Sequence, residues 1–464
     1  MAQVTVQSGG YVSVPGSGTD VVALQTQIAT ALNSAAGTAG VNFYTASLTG
    51  GGAAPTPPGA ATVTEAYITN GTGGQAYTVG SAYQYVVVNQ SGGGADTITL
   101  APNQDVISGT VGGHFVGVGA DTVALGGGNN VFSATLFGAF PQADYVVGGS
   151  GNDTIFDANG GTLDGGGGTN LLGSYSTAGA VQFISSGVND TVVAFTSSTG
   201  SATVDASGTR SLIFGDPVDT GTLLVQDTGS NDTVVGGAGS STISAGGSNL
   251  LVGGGAGNML FLGGAGSATV LGHAGENQTV DGGSGHILYS DLGASATING
   301  GSAAVTVFGG ASGSVTYNSS IGGVVFQALS GNETLNASGS STGNLIAAAN
   351  SLLGNPQGTG ADSLVGGSGN DTFFGGNGSA TMTGGSGSNT FAFFKFLGTG
   401  NDVITDYTSS DSVFMTGYGS NQGAAIASST SSGSNTTVTL SDNTTIKFLG
   451  VSSINTLQGH LFFG

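Results

Sequence analysis

The chain has 464 residues, 92 of them Gly, and carries 25 acidic residues against 3 Lys and Arg, a formal net charge of −22. Average glycine usage is about 7%, but the lack of a strict Gly-X-Y period excludes collagen, and 38% hydrophobic residues with only 6% charged exclude an ordinary disordered chain. Three cations (Arg210, Lys395 and Lys447) cannot build a basic face, which excludes nucleic acid as a partner and points to cations or to plain solubility.

The N-terminus comes first. Met1 to Val6 has neither a positive n-region nor an apolar h-region, so no Sec-type signal peptide is expected. No run of about 18 apolar residues marks a membrane span. Cys is absent, so a fold outside the cell needs a long core or metal in place of disulfides. The chain is read as cytosolic, or as exported by a route that leaves its N-terminus intact.

Gln3 to Val14 alternates like a short strand pair, and Pro15-Gly16-Ser17-Gly18 reads as a turn. Thr19 or Asp20 then caps a helix running to about Asn33, on the period of Val21, Val22, Leu24, Ile28 and Leu32. Residues 50–61, GGGAAPTPPGAA, have the composition of a linker. Residues 1–60 are read as a small N-terminal cap, or more sharply as a docking region for cell-surface polysaccharide.

Residues 61–392 are read as a glycine-rich solenoid, because from about residue 91 the chain falls into nonamers. Four stand in tandem, QGTGADSLV (357–365), GGSGNDTFF (366–374), GGNGSATMT (375–383) and GGSGSNTFA (384–392), and another full copy, GGSGNDTIF, lies at 148–156. Worn copies include DTGSNDTVV (227–235), GGAGSATVL (263–271) and DLGASATIN (291–299). A short fixed period signals a repeat fold. The glycine half suits a tight turn, and the Thr-apolar-x half suits a strand of about three residues. Two nonamers would make one coil of a parallel β-roll, so same-side turns should stack about 18 residues apart. The expected fold is all-β, a parallel β-solenoid with one N-terminal helix and a C-terminal β cap.

The unit GGxGxDx-apolar-x resembles the repeat of the RTX, or hemolysin-type calcium-binding, family, and Gly148–Phe156 and Gly366–Phe374 match it completely. The resemblance implies a Ca²⁺ held between stacked turns by backbone carbonyls and the Asp carboxylate, as suits a hard ion wanting six to eight oxygens. Carried over, the Asp position falls on Asp153 and Asp371, with turn carbonyls from Gly148, Ser150, Gly366 and Ser368. Looser matches place it at Asp96, Asp121, Asp190, Asp232, Asp362 and Asp402. The alternative is that an Asp in a glycine-rich turn hydrogen-bonds its own backbone. Many copies keep Thr-apolar but drop the Asp, as at Ser241-Thr242, Ala268-Thr269 and Ala380-Thr381. Calcium is therefore expected at selected coils, a handful of ions per chain.

Residues 393–464 are read as a β cap. Gly398 to Tyr407, followed by Asp411 to Met415, resembles the segment that closes RTX rolls in proteins exported by type I secretion, whose signal is uncleaved and C-terminal. Thr436–Leu440 and Thr444–Leu449 should form a hairpin around Ser441-Asp442-Asn443.

No catalytic pattern stands out. His114, His273, His286 and His460 are scattered and begin no HExxH, and Arg210 is the sole basic residue of the solenoid before Lys395. The chain is read as a non-enzymatic, calcium-stabilised extracellular protein whose partner is itself, a surface-layer subunit or biofilm-matrix filament. A secreted adhesin or ice-binding module is the alternative, and a polysaccharide-active enzyme ranks last.

Overall fold

A computed structural model describes residues 2–5, 11–14, 19–69, 71–109, 111–134, 143–158, 160–176, 179–310, 312–319, 321–348 and 360–464. The turn expected at Pro15–Gly18 lies outside these residues, as do the first three residues of the nonamer at 357–365. The fold is the expected all-β parallel β-solenoid, of about 17 turns. It divides into two compact units, Met1–Ser241 and Thr242–Gly464.

In Met1–Ser241 the expected strand pair forms, Ala2–Thr5 running antiparallel to Tyr11–Val14. The helix spans Thr19–Gly37, one turn beyond the expected end. Parallel pairing starts earlier than composition suggests. Phe43–Leu48 lies on Val63–Ile68, and Gly52–Ala53 lies on Tyr77 and Thr78. The linker-like stretch 50–61 thus carries a rung of the solenoid. A Gly- and Pro-rich segment turns a coil corner as readily as it spaces two domains, so composition does not separate the two.

From there successive strands alternate between two parallel sheets. Every second side chain points inward, as in the strand Thr191–Thr196, where Val192 and Ala194 are buried between outward Thr191 and Val193. The inward residues stack on their counterparts one coil away, for example Val106, Val123 and Val146. The helix covers the outer face of this sheet. Val21, Leu24, Ile28 and Leu32 pack on Val63, Val87, Ile107, Ala124 and Val147, outward positions of five successive strands of this sheet. Gln25 is buried in the same contact and donates Nε2 to the Ser108 carbonyl at 2.7 Å. One turn position takes a positive φ in three successive coils, at Asn189 (58°), Arg210 (60°) and Asn231 (60°), and Asn tolerates that conformation best among residues with a side chain.

In Thr242–Gly464 the inward residues are larger. Phe261, Tyr289, Tyr317, Phe326, Phe373 and Phe391 are all fully buried. One sheet ends in the expected hairpin, Asn435–Leu440 antiparallel to Thr445–Phe448, with Asn443 at φ 75° in its turn. Ile426–Ser432 adds an outer antiparallel strand. The other sheet ends with Leu461–Phe463 on Ser412–Thr416.

The coil length departs from the expected constant step of 18. Equivalent positions lie 17 apart at Gly113 and Asn130, 23 at Asn130 and Asp153, 20 at Asn170 and Asp190, and 21 at Ser211 and Asp232. The step is 18 at Asp371 and Asn389 but 27 at Asn344 and Asp371. Only the strands must repeat in space, and the corners absorb the extra residues.

Candidate metal sites

In Asp-Thr-apolar the Thr points out and the apolar residue in, so strand alternation also turns the Asp inward. Every Asp singled out from the motif is buried: Asp96, Asp121, Asp153, Asp190, Asp232, Asp362, Asp371 and Asp402. Asp96, Asp153, Asp190, Asp232 and Asp371 lead into strands of one sheet. Asp121, Asp362 and Asp402 stand at strand starts of the other. The fold therefore lines the acids along two coil edges rather than collecting them in one cluster.

At the two complete motifs the carboxylate is a rung between coils. Asp153 Oδ1 accepts from Asn130 N at 2.8 Å and Asn130 Nδ2 at 2.9 Å, and its Oδ2 accepts from Gly149 N at 2.9 Å. Asp371 repeats this with Asn344 N and Nδ2, both at 2.7 Å, and Gly367 N at 2.7 Å. The preceding Asn faces the other way. Asn152 Oδ1 accepts from Thr169 N of the following coil at 2.9 Å, and Asn370 Oδ1 from Ser388 N at 2.8 Å. Asn-Asp is thus a two-way clip, an exposed rung forward and a buried rung backward. Asn170, Asn344 and Asn389 occupy the Asp position in other coils and keep the buried rung with an amide oxygen.

This geometry makes a measurable demand. Asp371→Ala would leave the N–H groups of Asn344 and Gly367 without an acceptor, at about 1–3 kcal/mol each. Urea unfolding in chelator should show that loss, and Asp371→Asn, which keeps an acceptor oxygen, should recover part of it. A loss below about 1 kcal/mol for the alanine variant would rule out a structural rung.

At several other acids one or both carboxylate oxygens are not satisfied. Oδ2 of Asp144, Asp232, Asp291 and Asp402 and both oxygens of Glu333 are buried without a donor. Burial pushes Asp402 up to about 8 and Asp121 up to about 7. Glu333, buried and facing the Asp362 carboxyl, is pushed up to about 9. Asp153, Asp190 and Asp371 are also raised by burial, with their N–H bonds pulling the other way. A buried carboxylate lacking donors calls for a proton or a cation.

The donor chemistry fits calcium. All the donors are oxygens, and glycines open space beside them. The missing side chain of Gly229 leaves a point bounded by Asp232 Oδ2 and the Gly208 carbonyl, and that of Gly400 one bounded by Asp402 Oδ2 and the Gly376 carbonyl. Gly148 likewise faces Asp153 Oδ2 and the Gly165 carbonyl, and Gly366 faces Asp371 Oδ2 and the Gly384 carbonyl. Ser150 and Ser368 are exposed in their turns, and Ser368 N donates to the Ser340 carbonyl at 2.9 Å. Among the described residues no three of His, Cys, Asp and Glu converge, so backbone carbonyls must supply the rest of a shell of six to eight oxygens. A bound Ca²⁺ would neutralise buried negative charge there.

Motif matching missed Asp144, Asp227, Asp291 and Glu333. Two signals were available. Gly331-Asn332-Glu333-Thr334-Leu335 is the motif with Glu for Asp, and Asp227 and Asp291 stand where the nonamer begins with Gly.

Fold and donors together define a class, a parallel β-solenoid whose glycine turns present hard-oxygen sites. The family described as "RTX calcium-binding nonapeptide repeat (4 copies)" matches residues 227–260 and 357–391. Over these two stretches the chain carries repeats of the RTX type, and RTX nonapeptide repeats are calcium-binding. A search of curated proteins finds no match.

Proposed function

We propose that the chain is an extracellular structural protein, a calcium-stabilised subunit that assembles with itself into a surface layer or matrix filament. It has no enzymatic role in this reading, and it leaves the cell by type I secretion with its C-terminal segment as signal. What carries the reading is an aromatic patch on the last coils of Thr242–Gly464. Phe374 stacks on Phe394 at 5.8 Å and Phe414 on Phe462 at 4.7 Å, while Phe396 is 76% exposed. Beside the patch the strand Leu461–Phe463 pairs on one side only among the described residues. An apolar patch next to an open strand edge is a surface that another chain can cover. Cell-surface polysaccharide remains the proposed contact of the N-terminal region.

Purified protein in millimolar Ca²⁺ should form sheets or filaments in negative-stain microscopy and disperse with chelator. Replacing Phe396 and Phe414 with Ser should abolish them. Monodisperse monomers in calcium, by light scattering, would overturn the reading. One feature favours the alternative of an ice-binding module: the outward row Thr279, Thr297, Thr316 and Thr334 is in register across four strands. Thermal hysteresis of the monomer would select it.

A further inference from the structure

The turn at 227–235 differs from the two complete motifs in a way that changes its chemistry. It begins with Asp227 where the repeat has Gly, and it keeps Asp232 at the motif position. Both side chains are 1% exposed. Asp227 Oδ1 accepts from Gly229 N at 3.1 Å, and Asp232 Oδ1 accepts from Ser211 N. The Oδ2 atoms of both residues are buried without any donor. The two carboxyls lie within hydrogen-bonding reach of each other, acceptor facing acceptor.

The cause is local. In the complete motifs the second residue of the turn gives its N–H to the Asp Oδ2, as Gly149 does for Asp153 and Gly367 for Asp371. Here the second residue is Thr228, and its N–H goes instead to the Ala206 carbonyl at 2.7 Å. Asp232 is left with a bare oxygen, and Asp227 adds another beside it. The Gly208 carbonyl borders the same point, at the side-chain-free flank of Gly229. Two bare carboxylate oxygens and a carbonyl, sealed from water, form a hard-donor set with nothing positive in it.

We infer that Asp227 and Asp232 together hold one Ca²⁺ within a single turn, with Asp227 a ligand that the repeat pattern does not contain. The inference is independent of self-assembly, since it concerns one turn of one chain. It also reverses the order suggested by motif strength: the perfect copies satisfy both oxygens of their Asp with N–H groups, whereas this worn copy leaves one oxygen of each Asp bare.

The test is calcium content of the full chain after equilibrium dialysis against micromolar Ca²⁺, read by elemental analysis, for the natural sequence, Asp227→Asn and Asp153→Asn. Asp227→Asn should hold one ion fewer per chain. Its amide supplies the missing donor to Asp232, so its Tm in chelator should equal or exceed that of the natural chain, and its Tm gain on adding Ca²⁺ should shrink. Asp153→Asn should change the ion count by less than Asp227→Asn does. Unchanged calcium content in Asp227→Asn would overturn the inference. Should Asp227→Asn not fold, Asp232→Asn carries the same count. Filament formation is scored separately, so a failure to assemble does not bear on the outcome.

Discussion

Phe373→Ala is expected to destabilise the Thr242–Gly464 unit by about 3–5 kcal/mol, the cost of removing a buried aromatic ring and leaving its cavity. Phe373 is fully buried and stacks on Phe391 with ring centroids 5.1 Å apart. On its other side it is in register with Ile346. The loss should be local as well as large. Each coil touches only its neighbours, so stability is close to a sum of coil and interface contributions. Hydrogen exchange should therefore lose protection first in Leu345–Ala347, Thr372–Phe374 and Thr390–Phe394, with Thr191–Thr196 unchanged. A uniform loss across the chain would refute nearest-neighbour coupling.

The second large effect is on pH. In chelator the protein should be most stable near pH 4 and weaken as the pH rises toward 9, the reverse of the usual acid sensitivity. Burial raises Glu65 from 4.5 to about 7, Asp144 from 3.8 to about 6 and Asp402 from 3.8 to about 8. A carboxyl raised in the folded state is held protonated there and released on unfolding. Its contribution is complete below the ordinary carboxylate range and is lost as the pH climbs through the raised value. At about 1.4 kcal/mol per pKa unit, Glu65 alone accounts for about 3 kcal/mol by pH 8. Glu65 is also the cleanest probe. It is fully buried, Thr45 Oγ1 donates to its Oε2 at 2.8 Å, and its Oε1 has no donor. Glu65→Gln should flatten the slope of Tm against pH in chelator. A Tm that rises between pH 5 and pH 8 would sink the account.

How much of this could be read beforehand differs by feature. The solenoid was legible because Thr-apolar-x recurs even where Asp is gone, and a strand position must be kept for the stack to continue. Coil length was not, because insertions such as those between Asn344 and Asp371 fall in corners that no strand period reaches. The helix was legible from Val21 to Leu32. Its seat was not, since Val63, Val87, Ile107, Ala124 and Val147 are scattered over five strands and meet only once the register is set. At the acids, the motif located Asp153 and Asp371 but not their hydrogen-bond partners, which lie 23 and 27 residues upstream. Asp227 escaped because a motif search scores the first position for Gly, and a departure counts there as decay rather than as a new ligand.

The backward direction of the buried rungs gives the stack a polarity. Asn130 gives its N–H to Asp153, Asp153 to Asn170 and Asn170 to Asp190, and likewise Asn344 to Asp371, Asp371 to Asn389 and Asn389 to Asp411. In every case the oxygen belongs to the later coil. Every one of these rungs runs in the same sense, so cutting the stack at any of them bares donors on the earlier coil and acceptors on the later one, and the two cut faces differ in chemistry.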